Sequence, residues 1–402
     1  MQNLTPCQNN AISEIEAFLL SDEPELIITG PAGVGKSTVV NKVANDISSV
    51  SELATILGTS VVTDYFSTAT TNKAANIIDG CTIDKFLGLR TQSNKTTGST
   101  YRISTNNSHE IDNVLVSIDE CGLTDPCLKS HIQKQLKNSK VIYVGDVAQL
   151  NPIGLDHSPI FDSGIRTIEM NTPVRQGAGS DLYAECLKLR EAVLSGQTYI
   201  PSVNSQIRYI SDDEAKNFMI HKQDNDRILT FTNMTAVNMN SHVRGFKGVS
   251  GNWCPGEKVI SNGIVRSDNG GKLILKNEQE FTISEVVDIH QKEQFATYGV
   301  RTNERSSETI IVPVNSEEYF KAIKAAASSK NWPEMFRLKE MVADLRGSHA
   351  CTIHKSQGSS YGTVMIHAED LRKAAYDHNM FRRLLYVAVS RACNEVLIYG
   401  QL

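Results

Sequence analysis

Gly30-Pro31-Ala32-Gly33-Val34-Gly35-Lys36-Ser37, entered from the apolar run Leu26-Ile27-Ile28-Thr29 and followed by Thr38, decides how the rest of the chain is read. The eight residues match the full P-loop pattern. They lie where its mechanism needs them, after a buried strand and at the opening of a helix. Glycines at 30, 33 and 35 let the backbone wrap a phosphate so that several N–H groups point inward. Lys36 brings positive charge to β- and γ-phosphates, and the Ser37 hydroxyl is placed to ligate Mg²⁺. The expected ligand is ATP with Mg²⁺, held by Gly30, Gly33, Gly35, Lys36, Ser37 and Thr38.

Outward from this turn, Val114-Leu115-Val116-Ser117-Ile118 and Val141-Ile142-Tyr143-Val144 are nearly continuous in apolar residues. Such runs fit central strands of a parallel sheet covered by helices on both faces. Asp119-Glu120 closes the first run. Asp119 can hold the metal through water, and Glu120 can orient and deprotonate the attacking water. Gln149 follows the second run, in Gly145-Asp146-Val147-Ala148-Gln149, and carries both a donor and an acceptor suited to sensing a γ-phosphate. Arg175 and, far away, Arg391 offer planar guanidinium groups for the transferring phosphoryl. Each arginine gains weight only from this company, since most arginines are surface cations.

The second half repeats the alternation. Arg227–Phe231, Ala350–Ile353, Val364–Ile366 and Val396–Tyr399 read as buried strands of a second α/β sheet. Between them, residues 255–315 show short runs punctuated by Gly and Asn, as expected of a small inserted β-barrel. Two helices should follow. Asn315 caps one, and Asn331 with Pro333 opens the other, whose apolar face carries Leu338, Met341, Val342 and Leu345. Thr91–Glu110 is polar and reads either as a disordered loop or as a hairpin turning near Lys95–Gly98. Lys134, Lys137 and Lys140 read as the solvated face of a helix.

Composition narrows the field. The chain has 402 residues, with 40 Lys+Arg against 45 Asp+Glu and a formal net charge of −5. A content of 40% hydrophobic residues supports real cores and excludes a disordered chain. No run approaches the length of a membrane span, and the N-terminus has no secretory pattern, so a cytoplasmic protein without membrane partners is expected. The eight cysteines include no Cys-x-x-Cys pair, so neither a zinc site nor a dithiol motif is expected. Bulk charge announces no polyanion partner, and any such binding must use a local groove.

Taken together, these motifs resemble superfamily-one helicases of the RecD/Dda-like group, as in T-even-type phages, over nearly the whole chain and in the family's motif order. Leu4-Thr5-Pro6-Cys7-Gln8 resembles the adenine-reading motif, which implies Gln8 as reader. Ser67–Ala75 and Thr82–Gly88 resemble the first single-strand-binding motifs and imply DNA contacts by Thr70, Asn72, Lys73, Thr82 and Phe86. Leu229–Asn233 implies contacts by Thr232 and Asn233. Thr352-Ile353-His354-Lys355-Ser356-Gln357-Gly358 resembles the block that touches both DNA and nucleotide. It implies Thr352, His354 and Lys355 on DNA, and Gln357 and Gly358 at the nucleotide. Leu385–Ala392 would carry the second arginine finger at Arg391. Cys121-Gly122 after the acid pair departs from many relatives, and the candidate strand-separating pin has only Tyr101 as an aromatic.

The resemblance implies two RecA-like P-loop NTPase core domains of α/β class. The first is 1–180, with a polar hairpin about 90–110. The second is 181–245 plus 346–402, interrupted by an SH3-like β-barrel with a helical extension at 246–345. It implies an ATP-dependent 5′ to 3′ DNA helicase acting on single strands and duplex forks. Single-strand-binding or replication proteins would be partners of a monomer, in a bacterial host cytoplasm if the chain is phage-encoded. Two other readings stay open at this point: a translocase or remodelling ATPase without efficient unwinding, and a P-loop kinase.

Overall fold

The computed structural model describes residues 4–59, 61–93, 100–104, 111–174, 179–267, 271–288, 294–303 and 305–402. The chain forms two compact units, Met1–Tyr209 with Ile353–Leu402, and Ile210–Thr352.

The first unit is organised by a six-stranded sheet. Its strand order is Thr167–Glu169, Glu25–Thr29, Lys140–Gly145, Val114–Asp119, Asp64–Ala69 and Cys81–Thr82. Every pairing in it is parallel. Successive side chains of a strand point to opposite faces, and the cores divide accordingly. Leu26, Ile28, Leu115, Ile142 and Val144 join Ile15, Phe18, Val39 and Val43 from the helices Pro6–Leu19 and Lys36–Asn45. Ile27, Val116, Ile118, Val141 and Tyr143 join Leu128 and Ile132 from the helix Pro126–Gln135. Double-sided burial is why these strands read as unbroken apolar runs. Parallel strands bring their carboxyl ends to one edge, so Gly30, Thr70, Glu120 and Asp146 all follow strands there.

One helix reading is corrected. The helix Pro126–Gln135 stops before Lys137, and Lys140 opens the central strand Lys140–Gly145. Lys140 is buried, and its ammonium donates to the carbonyls of Phe18 (3.1 Å), Ser21 (2.6 Å) and Glu23 (2.9 Å). It satisfies the end of the first helix, where orphan carbonyls and the negative end of the dipole favour a cation.

The described part of the polar segment is a pair of strands, and residues 105–110 lie outside the described residues. Leu89–Ser93 pairs antiparallel with Thr100–Ser104, in a register that sets Leu89 opposite Ser104. Arg102 ties the hairpin down through ion pairs to Asp84 and Asp125. Its expected turn at 95–98 lies outside the described residues. Towards the carboxyl end, the strands Tyr361–His367 and Ala392–Tyr399 pair in parallel across the helix His378–Ser390.

In the second unit, Arg227–Thr230 pairs in parallel with Ala350–Thr352. The short strands expected between them form an antiparallel sheet in the order Arg305–Pro313, Thr297–Thr302, Glu280–Val287, Lys258–Ser261 and Leu345–Gly347. Val259, Phe281, Val300 and Ile310 fill its core. The helices Ser316–Ser328 and Trp332–Met341 follow, capped by Asn315 and Asn331 as expected. Leu345 is not on the second helix, which ends at Met341. It is buried from the last strand of the sheet instead.

Candidate nucleotide-hydrolysis site

The glycines of the P-loop are required by geometry at two points. Gly30 has φ +144°, and a Cβ there would meet the Met170 carbonyl oxygen at 2.0 Å. Gly35, at φ +82°, would place one 2.4 Å from Gln8 Nε2. The turn feeds the helix Lys36–Asn45, and the Lys36 ammonium donates to the carbonyls of Gly30 (2.7 Å) and Pro31 (2.9 Å). Around it lies a cavity of about 540 Å³ lined by Gly35, Lys36, Ser37, Asp119, Glu120 and Gln149, with Thr38, Gly358 and Arg391 at its walls. Burial lowers the Lys36 pKa, opposed by Asp146, Asp119 and Glu120.

The acid pair leaves its strand through a forced turn. Ser37 Oγ donates to Asp119 Oδ2 at 2.8 Å, joining the two ends of the cavity floor. Glu120 N donates to the other carboxylate oxygen of Asp119 at 2.8 Å. Glu120 itself is left-handed at φ +52°, a conformation costly for a non-glycine residue and typical of functional sites. Thr70 holds it from the neighbouring strand end. Thr70 Oγ1 donates to the Glu120 carbonyl at 2.8 Å, and its N–H donates to the Asp119 carbonyl at 3.1 Å. Burial, then the nearby Asp119 carboxylate, push the Glu120 pKa up to about 7, against the pull of Arg391 and Lys36. A carboxyl poised there suits a general base at neutral pH.

Gln149 is buried, and its Oε1 has no hydrogen-bond partner among the described residues. A buried orphan acceptor on a cavity wall is an open position for a ligand or an ordered water. Arg391 caps the helix His378–Ser390 and reaches the same cavity. It is 2% exposed and donates to the carbonyls of Val387 (3.2 Å) and Ser359 (3.3 Å) and to Ser390 Oγ (3.0 Å). Gln8 is buried. Its Oε1 accepts from Thr5 N at 3.0 Å, and its Nε2 donates to the Val34 carbonyl at 3.3 Å. It therefore couples the first helix to the P-loop, whatever else it reads. Gln357 is buried beside Gly358. Arg175 lies outside the described residues.

The expected DNA contacts divide between the units. Thr70, Asn72, Lys73, Thr82, Phe86, His354 and Lys355 belong to the first, and Thr232, Asn233 and Thr352 to the second. Ala69 pairs with Thr82, so Thr70 and Thr82 stand at adjacent strand ends. Thr82 and Thr232 cap the helices Ile83–Phe86 and Asn233–Phe246. Asn72 opens the helix Asn72–Ile77. The Lys73 ammonium donates to the Lys355 carbonyl (3.1 Å) and the Tyr361 hydroxyl (3.2 Å), which joins two of the DNA-motif segments. Phe86 is half-buried, its ring 4.9 Å from that of Phe66. His354 and Lys355 are exposed, whereas Thr352 is buried.

Asp146 is a site residue that the motif reading passed over. It is buried at a strand end next to that of Asp119, and accepts from Ala148 N (3.1 Å), Arg190 Nε (3.1 Å) and the Tyr386 hydroxyl. Its position after a buried strand was the available signal. Arg190 sits on a helix distant in sequence and carried none, and Tyr386 lies in the segment Leu385–Ala392 that was read only for Arg391.

Comparison with known proteins agrees with this geometry. Residues 14–155 match the family model of an AAA domain, and residues 347–399 match that of the UvrD-like helicase C-terminal domain. No curated protein matches the chain. Among solved structures it is similar to a Pif1 helicase from Bacteroides in complex with ADP-AlF3 and single-stranded DNA. The TM-score is 0.59 at 16% identity, covering 100% of this chain and 93% of that one. Pif1 helicase from Candida albicans gives 0.57 at 16%, with 100% and 96% covered. A structure of two coordinating Pif1 helicases at forked double-stranded DNA gives 0.57 at 16%, with 99% and 92% covered. The cavity thus takes its P-loop and acids from the region that matches an AAA domain, and Arg391 from the region that matches a UvrD-like helicase C-terminal domain.

Proposed function

We propose that the chain is an ATP-dependent 5′ to 3′ DNA helicase of the RecD/Dda-like kind, in which single-stranded DNA stimulates hydrolysis. The observation that carries this reading is the shared cavity. Lys36, Ser37, Asp119, Glu120 and Gln149 come from the P-loop half, and Arg391 comes from the helix His378–Ser390. A small-molecule kinase has no use for a second half that delivers an arginine to the γ-phosphate position.

Ser37 and Asp119 present oxygens 2.8 Å apart, the hard donors that Mg²⁺ prefers, and the orphan Gln149 Oε1 offers a further polar contact. When bound, the metal neutralises charge on the phosphate oxygens. The chain supplies the rest. Lys36 and the P-loop N–H groups bind the phosphates, Gln8 faces the base, and Glu120 takes the proton of the attacking water. Gln149 orients that water, and Arg391 stabilises the charge that develops on the phosphoryl group. In this reading Arg175 is a further finger. Thr70, Asn72, Lys73, Thr82, Phe86, Thr232, Asn233, Thr352, His354 and Lys355 contact single-stranded DNA, and Gln357 with Gly358 contacts the nucleotide. The three-domain division at 180, 246 and 345 and a monomeric motor in the cytoplasm complete the proposal. No helix among the described residues is long and apolar enough to cross a membrane.

Duplex substrates with a 5′ tail, a 3′ tail or none test the polarity. Separation from the 5′ tail is expected. Separation from the 3′ tail alone would reject the RecD/Dda-like placement. Strong DNA-stimulated hydrolysis with no separation from any tail would favour a translocase without a working pin.

A further inference from the structure

Arg383 lies on the same helix as the approach to Arg391, about two turns earlier, and faces the loop that carries Gln149. Its Nη1 donates to the carbonyls of Val147 (2.7 Å) and Gln149 (2.6 Å), and its Nε donates to Asn379 Oδ1 (3.2 Å). The loop has few other fixings. Asp146 begins it and is held by Arg190, Tyr386 and Ala148 N, while Gln149 N donates to the Asp146 carbonyl at 3.0 Å. Two of these partners, Arg383 and Tyr386, belong to the helix His378–Ser390. That helix is buried along Leu384–Ser390 and ends at Arg391 on the cavity wall.

We infer that Arg383 is a positioning residue that ties the Gln149 loop to the helix bearing Arg391, so that both γ-phosphate contacts move as one body. The inference deepens the proposed function and rests on it for its catalytic consequence. Gln149 Oε1 has no hydrogen-bond partner among the described residues, so no bond to that oxygen helps to hold the side chain. Its backbone is gripped from the helix. Two hydrogen bonds from Nη1, to carbonyls two residues apart, restrain the loop at two points, which one bond would not. Asp146, anchored by Tyr386 of the same helix, makes a second fixed point. Any displacement of the helix on nucleotide binding therefore reaches Gln149 and Arg391 together. Misplacing a water-orienting group by about 1 Å can cost up to about 10²-fold in rate.

The test uses Arg383→Met, which keeps the stem and volume but removes the donors, together with Gln149→Ala and the double variant. Thermal melting establishes that each folds. Hydrogen exchange at the amides of Ala148 and Gln149 reads the tether directly, without nucleotide. Steady-state turnover with single-stranded DNA, alongside the affinity for a fluorescent ATP analogue, reads its consequence. R383M is expected to speed exchange at 148–149, to lower maximal turnover by up to about 10²-fold, and to leave analogue affinity within a few-fold. The double variant should be no slower than Q149A, because both changes act through one side chain. Unchanged exchange in R383M would overturn the inference. So would a double variant whose loss is the product of the two single losses. A wild-type protein that binds no nucleotide and hydrolyses none would overturn the proposed function instead, and the exchange result would still decide the tether.

Discussion

Glu120 carries the most informative side chain in the cavity. Its carboxyl is pushed up to about 7, so in the fold it is protonated below that pH and ionised above it. A base must be ionised to act, so kcat/KM should rise with pH through about 7, and a pH series with saturating DNA would show that limb. Glu120→Gln should remove it and reduce turnover by roughly 10²–10⁴ while ATP still binds. The same shift has a stability consequence. A carboxyl that holds its proton more tightly folded than unfolded makes stability fall as pH rises from its ordinary value of 4.5 towards 7. E120Q should therefore melt higher than the parent at pH 8, a comparison calorimetry can make. Arg391→Lys keeps charge but loses the planar fork that reaches Val387, Ser359 and Ser390 together. Its maximal DNA-stimulated rate should drop by up to about 10³-fold with little change in nucleotide affinity. Lys36, Ser37, Asp119, Glu120 and Gln149 were legible because each sits at a fixed offset from an apolar strand. Asp146 sits at such an offset too and was passed over, whereas Arg190 and Arg383 were not legible, because their partners come from segments far apart in sequence and only folding brings them together.

The strands of the first sheet were equally legible, since burial on both faces leaves continuous apolar runs at 114–118 and 141–144. What misled was the spacing of Lys134, Lys137 and Lys140. Three residues apart, they imitate one face of a helix, yet the helix ends at Gln135 and Lys140 is already in a strand. A lysine before four apolar residues gives no hint that it will cap a helix more than a hundred positions earlier. Lys140→Met tests that assignment. It would remove the donor shared by the carbonyls of Phe18, Ser21 and Glu23, and should destabilise the protein by about 1–3 kcal/mol in urea unfolding. A neutral result would mean that water reaches those carbonyls. The hairpin 89–104 shows a different difficulty. Its polar strands carry no apolar pattern to set a register, and Arg102 fastens the second of them to Asp84 and Asp125 outside the pair.

The chain as a whole couples one hydrolysis cavity to segments that resemble single-strand-binding motifs, and these meet physically. Thr70 bonds the backbone of Glu120, and Lys73 bonds the segment that leads to Gly358 at the cavity wall. Two regions match an AAA domain and a UvrD-like helicase C-terminal domain, and the inserted antiparallel sheet lies between them in sequence. With a net charge of −5, binding to DNA must rely on a local groove and on stacking. The most direct measurement is the rate of ATP hydrolysis with and without single-stranded DNA. On the proposed reading, in which Thr70 and Lys73 contact DNA, hydrolysis should be slow alone and strongly stimulated by single strands. Turnover that is the same with and without DNA would contradict the helicase reading and leave a P-loop ATPase of another kind.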